Sequence, residues 1–473
     1  MAAMTTDLSS IAPALQEAGQ SHLIDHAERL TGAIRDRFVA SLAQYDWYEL
    51  AGLVRSHVLS HTEEVIPLQL APASVHELKD SGDRARYREM GEALISASKV
   101  AAFTVAGGQG TRLGFEGPKG CYPAGPVTKK PLFHIFAEGI LATRRRYECA
   151  VPWYILTSPL NDVVTRAFFE EHRFFDLGRD NVHFIQQGTL PSFDMHTGRV
   201  LLSAPGELAT NPDGHGGSIT ALHKSGALTQ MQQQGIEHIS YFQVDNPLVR
   251  VIDPVFVGLH AGADDSSAEM SSKAVAKSGP AEKVGVFCDV DGRTRVIEYS
   301  DLPEALSNET DGSGNLRYEA GSIALHVMGV SFLQRVATDP AFSLPFHRAV
   351  KKVPCIDPES FERVNPAEPN AIKLEKFVFD ALPMCRSSAV VRTPREEEFA
   401  PIKNPTGADS VESSRLLQTA RAARWLISVG VDVPTNASNE PDCVLELSPL
   451  TALDAEDLQG VSVTIEPGSS HAI

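Results

Sequence analysis

Residues 100–105, Val-Ala-Ala-Phe-Thr-Val, make an apolar run of strand length. The chain leaves it through Ala106-Gly107-Gly108-Gln109-Gly110-Thr111-Arg112-Leu113-Gly114, with Pro118-Lys119 just beyond. An uninterrupted apolar strand must be covered on both faces, which is the condition of a parallel sheet flanked by helices. Glycines at its exit let backbone N–H groups approach an anion closely. Arg112 and Lys119 add fixed positive charge, and together these parts suit a nucleoside triphosphate. Two other phosphate loops fail. A dinucleotide fingerprint begun at Gly108 needs glycine where Leu113 stands. A Walker loop needs Gly-Lys followed by Ser or Thr, and here Pro118 precedes Lys119. The competing reading is a glycine-rich turn with no ligand, which the adjoining Arg and Pro-Lys disfavour.

Strand-like runs recur at 153–156, 182–186, 239–244, 284–287 and 323–327, and helix-length stretches at 133–147, 162–174 and 219–234 lie between several of them. That alternation predicts an α/β fold with a mostly parallel sheet. Asp289-Val290-Asp291-Gly292 reads as a hairpin turn, so the sheet is expected to be mixed. Ahead of it, Leu23, Ala27, Leu30, Ile34 and Phe38 recur at helical spacing, and 48–59 is expected to form another helix. His57 and His61 stand at i, i+4, but Val58 follows where a zincin has Glu, so they read as a solvated face. The tail offers a helix at 413–426 and short β-like runs at 444–447 and 461–465. The expected division is an N-terminal helical domain (1–97), a central α/β domain (98–393) and a small C-terminal α/β domain (394–473).

The 473 residues carry a net charge of −18. That argues against broad nucleic-acid binding, which needs a basic face to displace counterions. No two of the six cysteines stand at C-x-x-C spacing, so a zinc ribbon or redox pair is not expected. The first residues lack a secretory pattern, and no apolar run reaches membrane-spanning length. A cytoplasmic location with no membrane partner is therefore expected. Oligomeric state does not follow from the sequence.

Read as blocks, the chain resembles the UTP-dependent nucleotide-sugar pyrophosphorylases. The match falls nearest the eukaryotic-type UDP-N-acetylglucosamine pyrophosphorylases. The glycine block is followed in order by VPWYILTS (151–158), FIQQGTLP (184–191), NPDGHGG (211–217) and QVDNPLV (243–249). VIEYSDL (296–302), AGSIALH (320–326), IKLEKFVFD (372–380), FAPIKN (399–404) and LELSPL (445–450) come after. The resemblance implies a central Rossmann-like nucleotidyltransferase sheet, of the GT-A-like kind, between helical N-terminal and small C-terminal domains. It implies that Gly107, Gly108, Gln109 and Gly110 hold the UTP phosphates, that Arg112 and Lys119 contact phosphate, and that Lys403 reaches it from the far side. Gln187 and Gly214 fall in the blocks that contact uracil. Glu298 and Tyr299 match the sugar-binding pair, and Asp245 matches the acidic position near Mg²⁺. Taken alone, Asp245 reads as a turn residue before Asn246-Pro247, Glu298-Tyr299 as plain hairpin and Lys403 as a solvated lysine.

The implied reaction is uridylyl transfer, in which UTP and a sugar 1-phosphate give a UDP-sugar and pyrophosphate. The attacking phosphate oxygen is already anionic, so catalysis is expected to rest on positioning and charge neutralisation. The sugar is the open point. His215 and Ser322 stand where the N-acetylglucosamine enzymes usually have Asn, and both Asn positions face the amino-sugar. Histidine at the first is typical of UDP-glucose-type relatives, whose block reads PPGHGD. N-acetylglucosamine 1-phosphate is the leading expectation, with glucose 1-phosphate or a broader hexose 1-phosphate set as the alternative. A catalytically silent nucleotide-sugar-binding protein predicts loss of Arg112, Lys119, Asp245 or Lys403, and all are present. An NAD-dependent oxidoreductase is weaker still, given the failed fingerprint.

Overall fold

The computed structural model describes residues 7–60, 70–78, 80–339 and 342–473. His61 lies outside the described residues. The chain forms two compact units, neither continuous in sequence. One gathers 1–65, 188–217 and 344–378; the other gathers 66–187, 218–343 and 379–473.

The larger unit is built on a ten-stranded sheet. Its strands are β1 (Leu70–Pro72), β2 (Val100–Val105), β3 (Trp153–Thr157), β4 (Val182–Gln186), β5 (His238–Gln243), β6 (Met270–Ala276), β7 (Val286–Val290), β8 (Arg293–Ile297), β9 (Ala320–Gly329) and β10 (Val390–Arg392). The main order is β1-β7-β9-β5-β2-β3-β4; β6 pairs with β9 and β10, and β8 with β7. Strands β5, β2, β3 and β4 run parallel, while β9 is antiparallel to β5, β6 and β7. The sheet is mixed as expected, with its parallel pairing concentrated in one half. Every residue of β3 is buried, and helix Leu132–Tyr147 packs Phe133 and Phe136 into the core with Trp153 and Phe242. That burial explains why the parallel strands read as unbroken apolar runs.

From β2 the chain passes to β3 and β4 on one side, then returns to β5 on the other. The strand order therefore reverses between β2 and β5. In open α/β sheets ligands bind outside the carboxyl ends at such a switch point. The β7–β8 hairpin turns on Asp291-Gly292, with φ of 54° and 76° and Val290 paired to Arg293. That is the positive-φ geometry Asp-Gly favours.

The smaller unit packs helices Leu8–Glu17, Ser21–Arg29, Gly32–Leu42 and Trp47–Leu53 on short antiparallel strands. Phe38, Leu42 and Trp47 share its core with Phe193, Ile372 and Leu374. The helical spacing across 23–38 is interrupted: Leu30 and Thr31 are extended, and Ile34 is 45% exposed. The helix from Trp47 continues as a π-helical turn, Val54–Leu59.

One expectation fails in the tail. Residues 461–465 form no strand; Val444–Glu446 pairs with Ser470–Ala472 instead. Val461, Val463 and Ile465 still pack on the small C-terminal core, so their alternation reports side-chain burial along an unpaired segment. Among the described residues no helix is long and apolar enough to cross a membrane, and all six cysteines are free thiols.

Candidate active site

The carboxyl ends of the four parallel strands carry most of the residues singled out above. Beyond β2, the carbonyls of Ala106, Gly107 and Gly108 turn inward. Asn161, fully buried, donates its amide to Ala106 O at 2.8 Å and Gly108 O at 3.2 Å, and Ser158 Oγ donates to Gly107 O at 2.8 Å. Asn161 is fixed in turn by the Ser158 N–H, 2.8 Å from its Oδ1. The Lys119 N–H closes the loop on Gly108 O at 3.1 Å. With its carbonyls engaged, the loop presents its other polar groups: among the described residues, nothing accepts from the N–H groups of Gly107, Gly108 or Gln109. Such a run of amides is an anion cradle. At Gly107 a Cβ would meet the Gln187 carboxamide oxygen beyond β4, so a larger residue there would force that side chain to move.

Beyond β5, Asp245 lies 3.5 Å from the Lys119 ammonium through Oδ2, with the two side chains 13% and 18% exposed. The Asp245 carbonyl accepts from the Ile402 N–H at 2.8 Å, which brings the neighbouring Lys403 to the same strand end. Asn246 fastens that loop: its Nδ2 donates to Glu398 O at 2.6 Å and its Oδ1 accepts from Ala400 N at 3.0 Å. Glu398 is buried and pairs through its carboxylate with Lys273 at 2.6 Å, an ammonium that also meets Asp253 at 2.6 Å. The structure thus unites Lys119, Asp245 and the Lys403 loop. Arg112 is exposed on the short turn Thr111–Leu113, and among the described residues no hydrogen bond or ion pair ties it to the other three.

A second group forms at the antiparallel flank. Ser322, in β9, donates its N–H to Gly285 O at 2.8 Å. Glu298 follows β8, and a Cβ on Gly285 would come 3.1 Å from its Oε1. Glu298 and Ser322 therefore border the same glycine. Tyr299 is 48% exposed beside them.

Gly214 and His215 belong to the smaller unit. The pair of strands Thr189–Pro191 and Thr210–Pro212 delivers them against 376–378. Gly214 has φ of 85°, and a Cβ would strike the Lys376 backbone. His215 stacks on Phe377 at 5.1 Å, and its Nδ1 accepts from Val378 N–H at 3.1 Å, so the ring proton sits on Nε2. Burial, and then the nearby His347, pushes its imidazole down to about 4. An unfolded histidine protonates near pH 6.5, whereas folded His215 stays neutral until about pH 4. Between those values the unfolded chain holds more protons, so stability falls as pH falls, by up to about 1.4 kcal/mol per pH unit from this site. Urea midpoints at about pH 7 and about pH 5 are expected to drop less in His215→Asn than in the parent; equal drops would refute the assignment.

Sequence reading singles out neither Asn161 nor Asn246. Each is an asparagine within four residues of a parallel strand's exit, Asn161 two residues after Pro159 and Asn246 directly before Pro247, a pattern that otherwise reads as an ordinary turn.

Amides and lysines gathered outside the carboxyl ends of parallel strands are what an α/β nucleotidyl-transferring enzyme offers a triphosphate. Residues 56–424 match the family described as UTP–glucose-1-phosphate uridylyltransferase. The chain is 35% identical to UDP-N-acetylglucosamine diphosphorylase 2 of Arabidopsis thaliana, covering 94% of this chain and 90% of that one. It is 34% identical to the UDP-N-acetylglucosamine pyrophosphorylase of Saccharomyces cerevisiae, over 88% and 91%. Its structure is similar to that of the Trypanosoma brucei uridine diphosphate N-acetylglucosamine pyrophosphorylase, with a TM-score of 0.80 at 26% identity, covering 95% of this chain and 94% of that one. The chain belongs to the UTP–glucose-1-phosphate uridylyltransferase family and is a UDP-sugar-forming uridylyltransferase.

Proposed function

We propose that this uridylyltransferase takes N-acetylglucosamine 1-phosphate as its leading sugar substrate, with Lys119, Asp245 and Lys403 as the charged centre of transfer. The observation that carries the reading is the Lys119–Asp245 pair at the β2–β5 switch point, to which the Lys403 loop is tied through the Ile402 N–H and where the glycine-loop amides also open. The sugar phosphate oxygen bonds to the α-phosphorus of UTP, the bond from that phosphorus to the bridging oxygen breaks, and pyrophosphate leaves. No proton transfer is needed. The chain's task is to hold two polyanions together: the 107–109 amides and Lys119 bind and neutralise phosphate, Lys403 approaches from its own loop, and Arg112 adds charge from the glycine turn. Gln187, beyond β4, is assigned to uracil.

Asp245 suits Mg²⁺, which takes one or two carboxylates and leaves its other positions to water and substrate phosphates. Its Oδ1 has no protein hydrogen bond among the described residues, and no group of three or more metal-ligating side chains is found there. When bound, the ion would supply charge neutralisation at the phosphates. Asp245 would hold it.

The sugar assignment is supported by the relatives' substrates and by Glu298 bordering Ser322. Pyrophosphate release from UTP with a panel of sugar 1-phosphates tests the reading. The N-acetylated sugar is expected to give the highest kcat/KM, and a glucose 1-phosphate optimum would overturn it. His215→Asn with Ser322→Asn is expected to raise the N-acetylglucosamine to glucose preference about tenfold, because a site that hydrogen-bonds a substrate group rejects the analogue lacking it. An unchanged ratio would remove both positions from specificity.

A further inference from the structure

We infer that Arg415 is a positioning residue for transfer, because one helix fixes the separation of Lys119 and Lys403. This rests on the reading that both lysines serve the phosphates. The helix is Val411–Ser428, opened by a Ser410–Ser413 capping box. Its first turn holds the Lys403 side: Ser414 Oγ donates to Ala400 O at 2.7 Å, and just ahead of it the N–H groups of Lys403 and Asn404 reach Asp409 O at 2.6 and 2.9 Å. Its next turn holds the Lys119 side. Arg415 Nη2 donates to Pro123 O at 2.7 Å and its Nε to Ala124 O at 3.4 Å, while Gln418 Nε2 reaches the same Ala124 O at 3.2 Å. Pro123 and Ala124 continue directly from the Lys119 turn, where Tyr122 N–H closes on Lys119 O at 3.0 Å.

The far end of that loop is held from the C-terminal segment as well. The buried Glu446 carboxylate accepts from Val127 N at 2.8 Å, from Thr128 N at 2.7 Å and from the Thr128 hydroxyl. A helix is stiff over one turn, so two loops bonded to adjacent turns keep a fixed spacing. Misplacing a charged group by about 1 Å costs up to roughly a hundredfold in rate. Arg415 touches no substrate group in this account; it acts through the carbonyls that seat the Lys119 turn.

The test is a kinetic double-mutant cycle on the full chain with saturating UTP and sugar 1-phosphate. Arg415→Ala is expected to lower kcat about tenfold with the UTP KM changed by less than about threefold, and Arg415→Lys to recover part of the loss. In a Lys119→Ala background, Arg415→Ala is expected to change kcat by less than about twofold, because the group it positions is gone. Gln418→Ala, which removes one bond to the same carbonyl, is expected to give a smaller loss of the same kind and guards against misfolding of the Arg415 variant. A kcat for Arg415→Ala within about twofold of the parent overturns the inference, and so does an equal loss in both backgrounds, which would mark a structural role unconnected with Lys119. If Lys119→Ala alone leaves kcat unchanged, the phosphate reading falls and takes this inference with it.

Discussion

Lys119→Ala is expected to lower kcat/KM for uridylyl transfer by about 10²–10³-fold while leaving the fold intact, the scale found on removing one preorganised charge-stabilising donor. Two effects add. The ammonium that would meet phosphate oxygens is lost, and the Asp245 carboxylate, 3.5 Å from it, is left as an uncompensated negative charge beside a polyanion. The main chain is retained, because the Lys119 N–H bond to Gly108 O does not involve the side chain. The two side chains are only 18% and 13% exposed, so leaving the Asp245 carboxylate without its cation is expected to cost more stability than the roughly 1 kcal/mol of an exposed pair. Pyrophosphate release gives the rate, and thermal unfolding checks the fold. Near-parental activity with unchanged UTP affinity would end the phosphate assignment.

Much of this centre is legible in the sequence because its signals are local. A buried strand has a run of apolar residues, and a backbone that must admit an anion needs glycines directly after it, so residues 100–110 disclose both. β4 spans the residues expected of it, and the Asp291-Gly292 turn follows from two positive φ values. The smaller unit was hidden for the opposite reason. Its core joins Phe38 to Phe193 and Ile372, and pairings such as Phe193 with Ile372 connect distant segments that carry no mark of each other. Asn161 and Asn246 escaped because their work is to satisfy loop carbonyls and amides. That role is set by three-dimensional proximity, whereas the sequence shows only polar residues in short proline-containing turns.

The prediction with the largest expected effect concerns Asp245. Asp245→Ala is expected to abolish divalent-cation dependence together with more than about 10³-fold of the activity, and the parent enzyme is expected to be inactive in EDTA and restored by Mg²⁺. The substitution separates two roles that meet at one residue. Its carbonyl anchors the Lys403 loop through the Ile402 N–H, and alanine keeps that bond. Its carboxylate faces Lys119 and is the only part removed. A loss in Asp245→Ala therefore reports on the carboxylate, not on displacement of Lys403. Asp245→Asn sharpens the point, since it preserves shape and removes the charge that a hard cation requires. Its remaining activity is expected to rise with Mg²⁺ concentration well above what the parent needs, as a weakened ligand is offset by mass action. Relief of the Lys119–Asp245 pair frees the ammonium for phosphate, so UTP is expected to bind Asp245→Asn in EDTA at least as tightly as it binds the parent under the same conditions, while turnover stays low. Full activity of the parent in EDTA, or of Asp245→Ala with Mg²⁺, would exclude Asp245 as the residue that holds the ion.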